Sequence, residues 1–201
     1  LVHAFGRWCQ RRGLLMVNPF QGMEHLNQKT DLRRQRRTLT AVEVNAIVTA
    51  ARTRATDSWK GENRATVYRL MASTGLRWNE ARTLRLSDIH LDGKTPYIQL
   101  QAGNAKSRKD ARVPLHNAVV DELASFIKAR QKTLVGDCGA SIMTFPGLAK
   151  DAPLFDDLPT KISRQFKGDC KTAKVKTVDA SGRVVDVHSL RYFFGSELAR
   201  A

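Results

Sequence analysis

Apolar and polar positions along the chain change period several times, and each change marks an element. Val44, Ile47, Val48 and Ala51 recur at i, i+3, i+4 and i+7, the stripe of a helix with one buried face. Thr40-Ala41-Val42-Glu43 heads it as a capping box, in which the Thr40 oxygen and the Glu43 carboxylate satisfy opposite orphan amides. Leu39 and Val44 stand where a hydrophobic staple would. A second stripe, Val67, Leu70 and Met71, predicts a helix that Gly75 can end. A short helix from about Trp78 to Leu84 follows, and Leu86-Ser87-Asp88-Ile89 leads out of it. From Ile89 to Leu115 the period falls to two. After an Asp92-Gly93 turn, residues 97–100 and 111–115 read as antiparallel strands flanking the polar, basic tip GNAKSRKD. The helical period returns over 117–133, with Val119, Val120, Leu123, Phe126 and Ile127 facing a core. Residues 134–159 are loop-rich. Thr160 is a candidate cap for a short helix carrying Ile162 and Phe166, and Ser181-Gly182 is a turn signal. A last helix carries Leu190, Phe193, Phe194 and Leu198 at i, i+3, i+4 and i+8 as a buried stripe. The pattern is α+β: mainly helical, with one small antiparallel sheet.

Residues 1–28 read as a helix and its exit. Phe5, Trp8 and Cys9 share a face, Gly13 can stop the helix, and Asn18-Pro19 can turn the chain. One helix cannot bury its own apolar face, so this segment either packs on the next domain or is the tail of a preceding one. Residues 29–38, KTDLRRQRRT, have almost nothing to bury and read as a basic linker before a domain spanning 39–201. Arg33, Arg34, Arg36 and Arg37 there are candidates for phosphate contact, the alternative being a solvated tether.

Charge narrows the function. The 201 residues carry a formal net charge of +15, large for one non-repetitive domain, and a polyanion such as nucleic acid is the first partner it suggests; a surface kept basic for solubility is the other reading. The three cysteines, Cys9, Cys138 and Cys170, are scattered and odd in number, which fits a reduced, cytoplasmic compartment rather than a disulfide framework. No metal-ligand spacing, Walker loop or dinucleotide fingerprint occurs, so no cofactor is expected. No apolar run reaches membrane-span length, and the first residues do not form a signal peptide.

Three separated pieces then stand out: TGLRWNE around Arg77, AKSRKDARVPL around Lys106 in the hairpin, and HSLR from His188 to Arg191. Arginine is planar, permanently charged and able to bind bidentately, so two of them suit the non-bridging oxygens of a phosphate gaining charge. In their order and spacing the three pieces resemble the tyrosine recombinases, the phage-integrase family, over roughly residues 38–201. The segment 1–28 resembles the end of that family's core-binding domain. The resemblance implies an integrase-like catalytic fold and double-stranded DNA as partner. It also implies strand cleavage by a tyrosine that forms a 3′-phosphotyrosyl link and releases a 5′-hydroxyl, with no need for metal or ATP. Arg77 and Arg191 would clamp the phosphate. His188, three residues before Arg191 and on the same helical face, would bind it or take a proton. Lys106 would protonate the leaving oxygen, though Arg108 and Lys109 beside it could serve or contact DNA, and Glu80 would orient Arg77.

The family carries its nucleophilic tyrosine a few dozen residues beyond the second arginine, where this chain has ten. Tyr68 falls in a helix stripe and Tyr97 in a strand. Tyr192 lies about 100° round the helix from Arg191, a poor position for attack. The expectation is a chain cut before the nucleophile: a piece of a site-specific recombinase that binds DNA without forming a covalent adduct. The family works as a tetramer on two DNA sites, and this piece alone is expected to be a monomer. The alternative is a non-catalytic DNA-binding protein, or a decayed remnant, on the same fold.

Overall fold

The computed structural model describes residues 2–23, 35–56, 59–103, 109–135 and 152–200, with the backbone alone over 131–135. The chain divides into two compact units, Leu1–Arg34 and Gln35–Ala201. In the first, α1 (Val2–Arg11) ends at Gly13, whose φ of 71° is in the left-handed region; the Leu14 amide donates back to the Cys9 carbonyl at 3.0 Å. Cys9 is buried, while Phe5 and Trp8 stack on each other at the surface, so the expected shared face is covered only at Cys9 within this unit.

The second unit is built around one helix. The helices α2 (Ala41–Thr53) and α3 (Gly61–Thr74) pack side by side, and α5 (Asn117–Val135), α6 (Ser163–Thr172) and α7 (His188–Leu198) surround them. The sequence stripe Val67, Leu70, Met71 understates α3, which is buried on nearly every face from Asn63 to Thr74. Between α3 and α5 lie the short α4 (Trp78–Arg82) and a three-stranded antiparallel sheet of β1 (Ile89–His90), β2 (Tyr97–Leu100) and β3 (Ala111–Pro114), in the order β1-β2-β3. The β2–β3 register pairs Tyr97 with Pro114 and Leu100 with Ala111. The capping box forms as expected: the Glu43 amide donates to Thr40 Oγ1 at 3.2 Å and the Thr40 amide to Glu43 Oε2 at 2.9 Å.

Four expectations change. α4 stops at Arg82 rather than Leu84. Thr160 does not cap α6, which starts at Ser163; the Thr160 carbonyl instead accepts the Trp78 indole at 3.2 Å. Leu198 is 66% exposed, and burial on α7 falls off after its half-buried phenylalanines, Phe193 and Phe194. Gln35–Thr38 is not a tether. Its backbone pairs with Val184, the Val184 amide donating to Gln35 O at 2.9 Å and the Arg37 amide to Val184 O at 3.0 Å.

The least expected core residue is Arg64, fully buried in α3. Its guanidinium donates to Thr56 Oγ1 at 2.6 Å, Trp59 O at 2.9 Å and Ala51 O at 2.7 Å, and also to Arg54 O. It lies 3.3 Å from Asp169 of α6, a carboxylate that also accepts from Arg54 at 2.6 Å and from the Tyr68 hydroxyl at 2.9 Å. Burial, and then the charge of Asp169, push the Tyr68 phenol well above its ordinary range. The same two causes raise Cys170, a free thiol, to about 12.

Removing one partner of such a network leaves buried polar groups unmatched. Arg64→Met is expected to cost about 3–5 kcal/mol in urea unfolding, and Arg64→Lys to recover less than half, since an ammonium cannot span these acceptors. A loss below about 1 kcal/mol would contradict the network's role. A second expectation concerns acid. The Arg37 guanidinium, hydrogen-bonded to Glu43 at 2.8 Å, holds that carboxyl below the usual glutamate range against the opposing effect of burial. A depressed carboxylate lends stability above its unfolded value that is lost as pH falls through its folded one. Glu43→Gln should therefore flatten the stability–pH curve below about pH 4.3 in acid titrations of unfolding.

Candidate functional site

The site is set by the end of α3. Gly75 closes that helix with φ 66°, and its amide donates to the Met71 carbonyl at 3.0 Å. A side chain here would be strained by the backbone. It would also be blocked, since a Cβ would lie 2.5 Å from Cδ1 of Phe194 on α7. The turn is thus a close contact point between the end of α3 and α7.

Two residues on, Arg77 precedes α4 with extended backbone, φ −76° and ψ 156°. Glu80 accepts from it twice: from the backbone amide at 2.9 Å and from Nη1 at 2.9 Å. The Glu80 side chain is 5% exposed and that of Arg77 39%, so a buried carboxylate fixes a guanidinium whose outer edge stays at the surface. Arg191 reaches the same turn from the other side, its Nη1 donating to the Gly75 carbonyl. Two cations more than a hundred residues apart in sequence therefore meet one three-residue loop. The carbonyl end of α3 favours them, because it carries the negative end of the helix dipole.

His188, half-buried, begins α7. Its amide donates to Asp186 Oδ1 at 2.9 Å, and the Asp186 amide donates to Ser189 Oγ at 3.2 Å, a reciprocal cap that fixes where the helix starts. Asp186 in turn accepts from Arg36 Nε, at 3.1 Å to Oδ1 and 3.0 Å to Oδ2. Arg36 and Arg37, candidates for phosphate contact, are thus spent on internal carboxylates, Asp186 and Glu43. Arg33, Arg34, Lys106 and Arg108 lie outside the described residues. The neck of the hairpin that bears Lys106 is described. Gln101 Nε2 donates to the buried Asp88 at 2.8 Å, the Ala102 amide donates to Asp110 at 2.7 Å, and Lys109 is exposed beside them.

The three tyrosines are placed by their partners. The Tyr68 hydroxyl is bonded to Asp169 in the core. Tyr97 stacks on His90, with the Arg112 guanidinium 4.9 Å from its ring centroid. Tyr192 is half-exposed on α7. Among the described residues no group of three or more His, Cys, Asp or Glu gathers, and no helix is long and apolar enough to cross a membrane.

Sequence reading predicted a short helix at α6 but passed over its basic face. Opposite its buried Phe166, Asp169 and Cys170 it exposes Arg164, Lys167 and Lys171, at i, i+3 and i+7. Lys167 and Lys171 border a shallow cavity of about 470 Å³ that also includes Lys176 and has no acidic residue in its lining. The basic periodicity itself was the available signal. A larger cavity, about 830 Å³, shares no residue with the Gly75 turn, and several of its charges already pair, Arg52 with Glu62 and Glu122 and Arg69 with Glu122.

The phage integrase family model matches residues 37–201. No protein with a curated description matches the chain. Among solved structures, a lambda integrase dimer bound to a COC′ core site is similar at TM-score 0.60 and 20% identity, over 97% of this chain and 62% of that one. The Tn1549 transposon integrase in complex with circular intermediate DNA is similar at 0.59 and 15%, over 98% and 63%. The XerH site-specific recombinase in a post-cleavage complex with a palindromic difH substrate is similar at 0.57 and 18%, over 81% and 42%. The chain thus spans between 42% and 63% of the length of these three. At such identities the likeness is one of fold, the α+β architecture of integrase catalytic domains.

Gly75→Ala adds left-handed strain and a contact with Phe194 together. It is expected to cost about 1–3 kcal/mol and to loosen α7. Phe194→Ala in the same chain should make the added Cβ cheaper by removing only the contact. Equal Gly75→Ala costs in both backgrounds, measured by urea unfolding, would show that the close approach to Phe194 has no weight.

Proposed function

The chain belongs to the phage integrase family, and we propose that it acts in site-specific DNA recombination, holding the phosphate to be broken between Arg77 and Arg191. The observation that carries this reading is the meeting of those two arginines at the Gly75 turn, one fixed by buried Glu80 and the other bonded to the Gly75 carbonyl. A phosphodiester under attack places added negative charge on its non-bridging oxygens. Two pre-positioned guanidiniums lower the energy of that state more than that of the starting diester. His188, on the first turn of the same helix as Arg191, is in the reading a hydrogen-bond donor to the phosphate or the acceptor of the attacking hydroxyl's proton. Lys106, which falls in sequence between β2 and β3, delivers a proton to the departing 5′-oxygen. Covalent attachment to a tyrosine conserves the energy of the broken bond, so rejoining needs no nucleotide cofactor.

The reading gives the attack to none of Tyr68, Tyr97 or Tyr192: the first is committed to Asp169, the second to the sheet face, and the third points about 100° round α7 from Arg191. Duplex DNA is the partner. Exposed Arg164, Lys167 and Lys171 on α6, with Lys109 at the hairpin neck, add phosphate contacts beyond the clamp.

The test is duplex affinity of the 201-residue chain across a salt series. Affinity should fall linearly with salt on logarithmic axes, and Arg77→Ala combined with Arg191→Ala should weaken it and make the slope shallower by about 2. Suppose the double variant keeps the parent affinity and slope while Lys167→Ala with Lys171→Ala abolishes binding. The chain is then a basic DNA-binding module on this fold and not a phosphate clamp. A covalent, denaturation-resistant adduct on a nicked duplex would overturn the assignment of the three tyrosines.

A further inference from the structure

Arg36 stands within the first residues of the second unit and holds the start of the helix that bears His188 and Arg191. Before the first turn, its Nε binds both oxygens of Asp186, the residue that caps the His188 amide. On the inner side of the helix, Ser189 and Leu190 are fully buried and Phe194 packs on Gly75. Rotation of α7 about its own axis would swing Arg191 off the Gly75 carbonyl. The inner contacts resist it from the core and Arg36 resists it from outside. An aspartate caps a helix without any arginine, so helix capping alone does not account for Arg36. The pair is also sheltered, with side chains 27% and 18% exposed, and so is screened less than a surface pair. Backbone bonding of Gln35 and Arg37 to Val184, and the Arg37–Glu43 pair at the start of α2, hold Arg36 itself in place.

We infer that Arg36 is a positioning residue for His188 and Arg191, acting through Asp186 and making no contact of its own with phosphate. The inference rests on the phosphate-clamp reading for its consequence in DNA binding, though not for the anchoring of α7.

The experiment uses the whole chain and two readouts, hydrogen exchange at the amides of residues 188–192 and affinity for a duplex probe. The variants are Arg36→Gln and Asp186→Asn; asparagine still caps the helix, so Asp186→Asn removes the ion pair alone. Both are expected to speed exchange in these two turns by roughly tenfold and to weaken the duplex by about three- to tenfold. Arg36→Lys should restore part of both. In an Arg191→Ala background the affinity effect of Arg36→Gln should shrink to the part carried by His188, because the larger target of the positioning is gone. If the effect persists there in full, with a salt slope shallower by about 1, Arg36 is a direct phosphate ligand and the inference is overturned. Unchanged exchange in α7 overturns it too. Should Arg191→Ala alone leave duplex affinity intact, the clamp reading falls. The exchange data then decide the anchoring on their own, raised exchange supporting it and unchanged exchange sinking it.

Discussion

Everything at the site depends on the burial of one charge, Arg64, against Asp169. A guanidinium with no exposed surface cannot stay in a protein unless its charge is met; here its two terminal nitrogens are hydrogen-bonded, its Nε lies 3.3 Å from a carboxylate, and the groups involved come from three places. Ala51, Arg54, Thr56 and Trp59 lie at the end of α2 and in the connection to α3, and Asp169 lies on α6. Satisfying one side chain therefore fixes how α2, α3 and α6 sit together. The α2–α3 connection is tight as well: a Cβ on Gly61 would lie 2.3 Å from the Arg52 carbonyl. Well-packed apolar residues in place of the whole pair could fill the same volume without cost, as buried ion pairs elsewhere show, whereas removing Arg64 alone strands its carboxylate and acceptors. What the ion pair adds is a single acceptable arrangement, since few placements of the three elements satisfy all those acceptors together.

With α3 fixed, its far end is fixed too, and there the candidate chemistry gathers. Gly75 turns the chain so that Arg77 leaves toward α4 under the hold of Glu80, and α7 comes close enough for Arg191 to reach the turn. The arrangement is preorganised: the carboxylate and carbonyl that orient the two guanidiniums are in place without a ligand. Each guanidinium keeps donors beyond those bonds, because arginine has five N–H groups in a planar fork.

Much of this was legible in sequence because the signals are local. The Thr40–Glu43 box, the Gly75 stop, the pairing of 97–100 with 111–114 and the stripe Val44, Ile47, Val48, Ala51 each follow from neighbours a few residues apart. TGLRWNE and HSLR were visible as pieces, and that Arg191 meets the Gly75 turn depends on packing between α3 and α7. Other features were illegible because sequence reading gives a charge to the surface by default. Arg64 sits in a helix pattern where nothing distinguishes it from Arg69, which is partly exposed and bonded to Asn45. Arg36 and Arg37 looked like tether because their partners, Asp186 and Glu43, lie 150 and 6 residues away, and a linker's composition does not reveal a carboxylate waiting for it. Leu198 failed the other way: its spacing continues the apolar stripe, but the core ends before it.

The net charge of +15 therefore conflates two populations. Arginines hold the fold: Arg36, Arg37, Arg54 and Arg64 all pair with carboxylates that are themselves half-buried or buried. Every lysine among the described residues is exposed. The division follows from chemistry, since a planar, weakly hydrated guanidinium loses less on burial and can match several acceptors at once, whereas an ammonium is a compact, strongly hydrated point charge. Counting cations to estimate a polyanion-binding surface thus overstates it. The useful count leaves out the arginines that already have carboxylates and keeps the lysines of α6, together with the two arginines at the Gly75 turn. Arg77 is the case that joins the two populations. It has a buried carboxylate of its own, yet part of its guanidinium remains at the surface, as a residue must if it is to be held still and still bind a ligand.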